Sequence, residues 1–316
     1  MRTMRCTWTV ALICLAATVL LTASPSGQTS GGASPAPGET LSESYRGSQS
    51  KNVEYQKIAP FKVFDNLYYV GPGFVSVWLI PTSQGLILID SAQEPYVDHV
   101  IDSTRKVGFD PTNIRYILLS HGHLDHFGGA AKIRELSGAR VATLEEDWQL
   151  IEAAGKTAGR SGNPPPRAPA RDMVIKEGDV VTLGNTSLKV FKLPGHTPGS
   201  PSFEFTVYDS GMPYKAFLFG GPGPRGGVSG GEQFLASVNR IAAEQQDAQV
   251  AVTVHSWLTS YPYPNGGLLE RAQKLAQRRP GEPHPFVDNA SWRQWLKMAQ
   301  AGAVKNLEDE KAKATK

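Results

Sequence analysis

The sequence predicts an α+β fold in which two sheets pack face to face, helices lie outside them and a polar site occupies one edge of the sandwich. Three observations carry that prediction. The chain divides into two similar halves, each a series of short apolar strands followed by helices. Gly and Pro punctuate the strands where turns are needed. Several strand runs end on Asp or His: Leu86-Ile87-Leu88-Ile89 on Asp90, Tyr116-Ile117-Leu118-Leu119 on Ser120 and His121, and Ala251-Val252-Thr253-Val254 on His255. No short-period repeat is visible.

From the start of the chain, Arg2 and Arg5 precede an apolar stretch at 8–21 and the small residues Thr22, Ala23 and Ser24, which reads as a secretory signal over 1–23. The stretch is too short and too near the terminus for a membrane span. Cleavage near Ala23 would remove both cysteines, Cys6 and Cys14. The mature chain would then have neither a disulfide nor a thiol ligand or nucleophile. The expectation is a soluble secreted or periplasmic protein without stable membrane association. Residues 24–50, rich in Ser, Gly, Pro and Thr, predict a flexible leader, and 51–316 a single domain. The formal charge is +3, from 32 basic and 29 acidic residues; loss of Arg2 and Arg5 leaves 30 against 29, or +1. A balance that even excludes a nucleic-acid binder.

The first half predicts antiparallel strands at 67–70, 75–80 and 86–89, a helix begun by Pro95 and running to 107, and a strand at 115–119. A helix at 128–136, a short strand at 140–143 and a helix at 144–154 continue the alternation. Residues 155–171 form a long loop with basic side chains Lys156, Arg160, Arg167 and Arg171, and Lys176 just beyond. The second half predicts strands at 180–183, 188–193, 202–207 and 215–219, a helix at 232–246 and a strand at 250–254. From Ser291 onward the tail reads as a helix with a Trp292, Trp295, Leu296, Met298 stripe and a frayed, charged end.

The run His121-Gly122-His123-Leu124-Asp125-His126 places four metal-ligand types in six residues where a buried strand meets a helix. Neutral imidazoles with a carboxylate suit zinc or a similar divalent ion. Of the seven histidines, His196 sits on the rigid turn Leu193-Pro194-Gly195-His196-Thr197-Pro198-Gly199-Ser200, and His255 ends its strand. If the strand ends of both halves meet on one edge, six ligands converge. His99, on a helix, and His284, between prolines, read as ordinary surface residues.

The 121–126 run, the 194–200 turn and Asp90 resemble the metallo-β-lactamase superfamily over nearly the whole mature chain, and within it the class B, subclass 3 enzymes. The resemblance implies an αββα sandwich with a metal site at one edge. It further implies two Zn2+ per chain, one held by His121, His123 and His196 and the other by Asp125, His126 and His255. Other subclasses place a cysteine on the second metal, and the mature chain has none. Glyoxalase-II-like hydrolases and lactonases carry an aspartate bridging both metals, whereas Phe217-Leu218-Phe219-Gly220-Gly221-Pro222-Gly223 lies in a stretch with no acid between Asp209 and Glu232. Di-iron relatives tend to have glutamate where His123 stands.

The implied reaction is β-lactam ring opening by a metal-bridging hydroxide, with Asp125 holding the second zinc and orienting the hydroxide. Asp90 is placed to steady a ligand imidazole, or else as a strand-end acid satisfied by backbone amides. Relatives carry serines near 221–227, where this chain has Gly and Pro. Arg225, or a cation of the 156–171 loop, is therefore a candidate for the substrate carboxylate, with Ser229 the nearest hydroxyl. Trp148 and Trp257 are candidate pocket walls. A small-molecule substrate is expected: a β-lactam, or alternatively another ester or amide such as an acyl-homoserine lactone. A binding or regulatory protein would need a broken ligand set, and all six positions are intact.

Overall fold

In a computed structural model, which describes residues 34–158, 164–256 and 266–315, the chain stacks a seven-stranded sheet on a five-stranded one. The predicted signal segment, the first part of the leader, Arg160 and Trp257 lie outside the described residues. The rest of the leader departs from the expectation of flexibility. Thr40 and Glu43 form a reciprocal capping box that opens α1, Leu41–Ser44. Ser42 donates its N–H and hydroxyl to Glu270 at 2.8 and 2.6 Å, and Tyr45 is buried against Tyr55 of α2, Val53–Gln56. A Ser- and Gly-rich composition concealed a cap and an aromatic anchor.

The first sheet runs in chain order: β1 Phe61–Phe64, β2 Leu67–Tyr69, β3 Trp78–Thr82, β4 Gly85–Ile89, β5 Ile114–Leu118, β6 Arg140–Leu144 and β7 Met173–Ile175. Pairing is antiparallel up to β4 and parallel beyond it. Parallel neighbours require crossovers, which helices supply. These are α3 Val97–Lys106, the short α4 Leu124–Phe127 with α5 Ala130–Ser137, and α6 Glu145–Ala154. Pro95 precedes α3 instead of opening it. Because successive side chains in a strand face opposite ways, Ile87 and Ile89 point toward the second sheet while Leu86 and Leu88 pack under the helices. Burial on both faces is why β4 reads as an unbroken apolar run, whereas β5 is buried at successive residues only toward its end, at Ile117 and Leu118.

The second sheet comprises β8 Val180–Leu183, β9 Thr186–Lys192, β10 Pro201–Asp209, β11 Met212–Leu218 and β12 Val250–Val252, in the order β12-β11-β10-β9-β8. Its one parallel pair, β11 with β12, is bridged by α7, Gly227–Glu244. Two further helices follow, α8 Leu268–Ala276 and α9 Asn289–Ala314. Trp292 and Trp295 of α9 stack at 5.0 Å, and Trp292 Nε1 donates to the Gln245 carbonyl at 2.6 Å. Deleting a core ring of this size costs about 3–5 kcal/mol. The expected fraying is not seen: α9 stays helical to Ala314, with Lys305–Asp309 and Glu310–Lys313 pairs along it. Among the described residues no helix is long and apolar enough to cross a membrane.

Three further expectations change. His284 is buried, stacked on Phe64 at 4.1 Å with its Nε2–H donated to the Val63 carbonyl. His99 is buried on the inner face of α3 beside Ser103, and burial lowers its pKa to about 4. Trp148 is fully buried and donates to the Met173 carbonyl at 2.7 Å, so it is core and not pocket wall.

Candidate metal centre

The turns after β5, β9 and β12 meet and gather the six predicted ligands into two groups. His121, His123 and His196 form one, and Asp125, His126 and His255 the other; within each, the donor atoms lie within 4.8 Å of one another. Local backbone requirements shape these turns. Gly195 has φ +131°, and a Cβ there would meet the Phe234 backbone at 2.5 Å, so only glycine lets His196 approach. Asp90 has φ +63°, a left-handed conformation that Asp tolerates better than most residues. Its carboxylate accepts from the Ser120 N–H and hydroxyl, both at 2.7 Å, and from His126 Nδ1–H at 2.8 Å.

Hydrogen bonds at the outer ring nitrogens fix the tautomers. A carbonyl only accepts, so His196 Nδ1 carries the proton it donates to Gly223 at 2.7 Å, and His255 Nδ1 the one it donates to Phe74 at 2.9 Å. Ser120 Oγ gives its proton to Asp90 and accepts from His121 Nδ1 at 3.2 Å. The Nε2 atoms of His121, His126, His196 and His255 are thereby left for the inner side. His121 Nε2 is buried with no hydrogen-bond partner, and His126 Nε2 stands 3.3 Å from His255 Nε2. Asp125 Oδ2 lies 3.5 and 3.8 Å from those two nitrogens. Donors bound 2.0–2.1 Å from a tetrahedral ion are roughly 3.3–3.4 Å apart, so the donor types and spacing of the second group fit a divalent ion.

The two groups differ in charge. Burial lowers the pKa of His121 far below its ordinary value, that of His123 to about 4 and that of His196 to about 3, keeping all three neutral. In the second group burial lowers His255 to about 3. Burial would depress His126 as well, but the Asp125 and Asp90 carboxylates outweigh it and raise the ring to about 10. Asp125 is held well below the usual carboxylate range by His126 and His255 in spite of burial.

A cavity of about 570 Å³ opens onto both groups. Arg225 lines it on the His123 and His196 side, and its N–H donates to the Gly195 carbonyl at 2.8 Å. Ser229, by contrast, is exposed on the first turn of α7 and does not line the cavity, because the Gly and Pro stretch carries the chain away before it. That stretch instead contributes the Gly223 carbonyl to His196. Among the described residues of the 156–171 loop no cation lines the cavity: Arg167 pairs with Glu135, and Arg171 with Glu145 and Glu152. Sequence reasoning missed Arg46, which follows α1 and lines the cavity on the His255 side. It also missed Asp147 of α6, fully buried and bonded to both ligand turns.

Two packed sheets flanked by helices, with paired donor groups at one edge, constitute a metallo-hydrolase fold. The metallo-beta-lactamase superfamily model matches residues 70–209, and the chain belongs to that superfamily. Its structural neighbours are subclass B3 metallo-beta-lactamases. BJP-1 of Bradyrhizobium japonicum is 30% identical, with a TM-score of 0.68 over 81% of this chain and 96% of that one. FEZ-1 of Legionella gormanii is 25% identical, with a TM-score of 0.70 over 80% and 97%. Among curated proteins, the hydroxyacylglutathione hydrolase GloC of Haemophilus influenzae is 36% identical over 93 residues, 29% of this chain and 44% of its own. A hydroxyacylglutathione hydrolase of Cereibacter sphaeroides is 37% identical over 98 residues, 31% of each. The chain thus spans less than half the length of these two curated relatives.

Proposed function

We propose that the chain is an exported zinc hydrolase that opens the β-lactam ring, with two Zn2+ per chain. One observation carries the reading: a complete Asp125, His126, His255 group stands beside a complete three-histidine group, with neither a cysteine nor a bridging acid in the 220–223 segment at His196. The solved structures that match along nearly their whole length are named as metallo-beta-lactamases, which supports the same reading. When bound, a pair of such ions supplies a water acidified toward neutral pH and positive charge for the carbonyl oxygen.

The chain's own residues then have distinct tasks. His121, His123 and His196 would present three neutral imidazole donors. Asp125, His126 and His255 would form the other set, and Asp125 would also accept a hydrogen bond from the attacking water or hydroxide to orient it. Asp90 fixes the His126 ring, as outer carboxylates commonly do for ligating imidazoles. Arg225 receives the substrate carboxylate. The 1–23 segment directs export.

The partial matches to hydroxyacylglutathione hydrolases favour a second reading, a thioester or ester hydrolase of the same fold. Zinc-loaded protein assayed against a penicillin, a carbapenem, an acyl-homoserine lactone and a hydroxyacylglutathione decides between them. Chelator-sensitive turnover of the lactams is expected. Turnover of the thioester or lactone alone would overturn the first reading.

A further inference from the structure

Asp147 lies outside both donor groups, yet its carboxylate joins the two turns that carry the first one. Oδ1 accepts from the Gly122 N–H at 2.8 Å, between His121 and His123, and Oδ2 accepts from the Ser200 N–H at 2.9 Å, at the end of the His196 turn. The two amides come from different halves of the chain. Ser200 is held at φ +49°, and its hydroxyl meets Thr197 Oγ1 at 2.9 Å and accepts from the Thr197 N–H at 3.0 Å, so the turn behaves as one folded unit. Two glycines admit the carboxylate. A Cβ on Gly122 would lie 2.9 Å from the Asp147 carbonyl, and one on Gly199 would overlap Asp147 Oδ2. The glycines of the His-Gly-His and Pro-Gly-Ser segments are thus accounted for by what must pass beside them.

We propose that Asp147 is a positioning residue that sets the spacing of His121 and His123 against His196 through these two backbone amides. The proposal rests on the reading of that triad as a metal site. Hydrogen bonds to an ionised acceptor are roughly twice as strong as neutral ones, and here they act on backbone, so they move whole turns. The competing role is local: Asp147 falls in the acid-rich first turn of α6, beside Glu145 and Glu146, where it would stabilise the helix alone.

The variant Asp147→Asn keeps the shape but turns an amino group toward one of the N–H donors. It is compared with Trp148→Phe, which loses the neighbouring buried bond to Met173 without touching either turn. Cobalt affinity and visible spectra are measured by chelator competition, and exchange of the Gly122 and Ser200 amides is followed in metal-free protein. The expected results for Asp147→Asn are a 10–100-fold weaker first site, an altered spectrum and faster exchange at both amides together, as for other outer-shell partners. Trp148→Phe should lower Tm with affinity and spectrum unchanged. Wild-type affinity and spectrum in Asp147→Asn, with only Tm reduced, would overturn the proposal. If that variant does not fold, the wild-type protein still decides: equal protection at the two amides supports coupling, and unequal protection refutes it. A wild-type protein that binds no cobalt refutes the metal reading, while the exchange data still test the brace.

Discussion

The two donor groups are adjacent but are built on opposite electrostatic plans. The first contains only imidazoles kept neutral by burial, fixed from behind by a serine hydroxyl and a backbone carbonyl. The second contains Asp125, with Asp90 behind it, and these carboxylates hold an extra proton on His126. The same residue type therefore serves as a neutral donor on one side and as a resident cation on the other. An ion entering the first group meets no charge to displace, whereas an ion entering the second must evict a proton.

The largest test of this contrast removes its anion. Asp125→Ala should empty the second site and lower kcat/KM by at least about 100-fold, more than outer-shell losses usually produce. Full zinc content in that variant, measured by elemental analysis, would contradict the assignment. Acidity provides the next test. Because His126 stays protonated up to about 10 while the first group's histidines deprotonate near 4 or below, second-site affinity should rise about tenfold per pH unit through neutrality. Chelator competition at pH 6 and 8 should thus show about a 100-fold gain at the second site and almost none at the first; parallel slopes would erase the contrast. Asp90→Asn should weaken the second site about 10–100-fold while sparing the first. Equal weakening of both would mean that Asp90 acts on the edge as a whole. Smallest is Arg225→Ala: an exposed ion pair contributes about 0.2–1 kcal/mol, so KM for a carboxylate substrate should rise by a factor of about 1.4 to 5 with kcat unchanged. An unchanged KM removes Arg225 from substrate binding.

Much of this edge could be read without coordinates because the ligands are local in sequence. Four sit in one six-residue turn, and the two distant ones end strands whose apolar runs are plain. Asp147 was not readable in that way. In sequence it is one of three acids opening a helix, and only the fold shows that its partners lie 25 and 53 residues away. His99 and His284 failed for the converse reason: a helix and a pair of prolines say nothing about what packs against them. The short β1 and β7 offered too few residues for an alternation, and in 34–50 a Ser- and Gly-rich composition outweighed a single cap.

The connection from β7 to β8 divides the chain into the two halves that build the two sheets, and each donor group draws on both. His121 and His123 are joined by His196, and Asp125 and His126 by His255. An ion seated in either group is thus a cross-link between the two halves, closing loops of 73 residues or more from His123 to His196 and 129 from His126 to His255. The only cysteines, Cys6 and Cys14, lie ahead of both sheets and cannot supply such a staple. In this chain coordination would do the work that disulfides do elsewhere, and stripping the metal would loosen the molecule as reduction loosens disulfide-bonded ones.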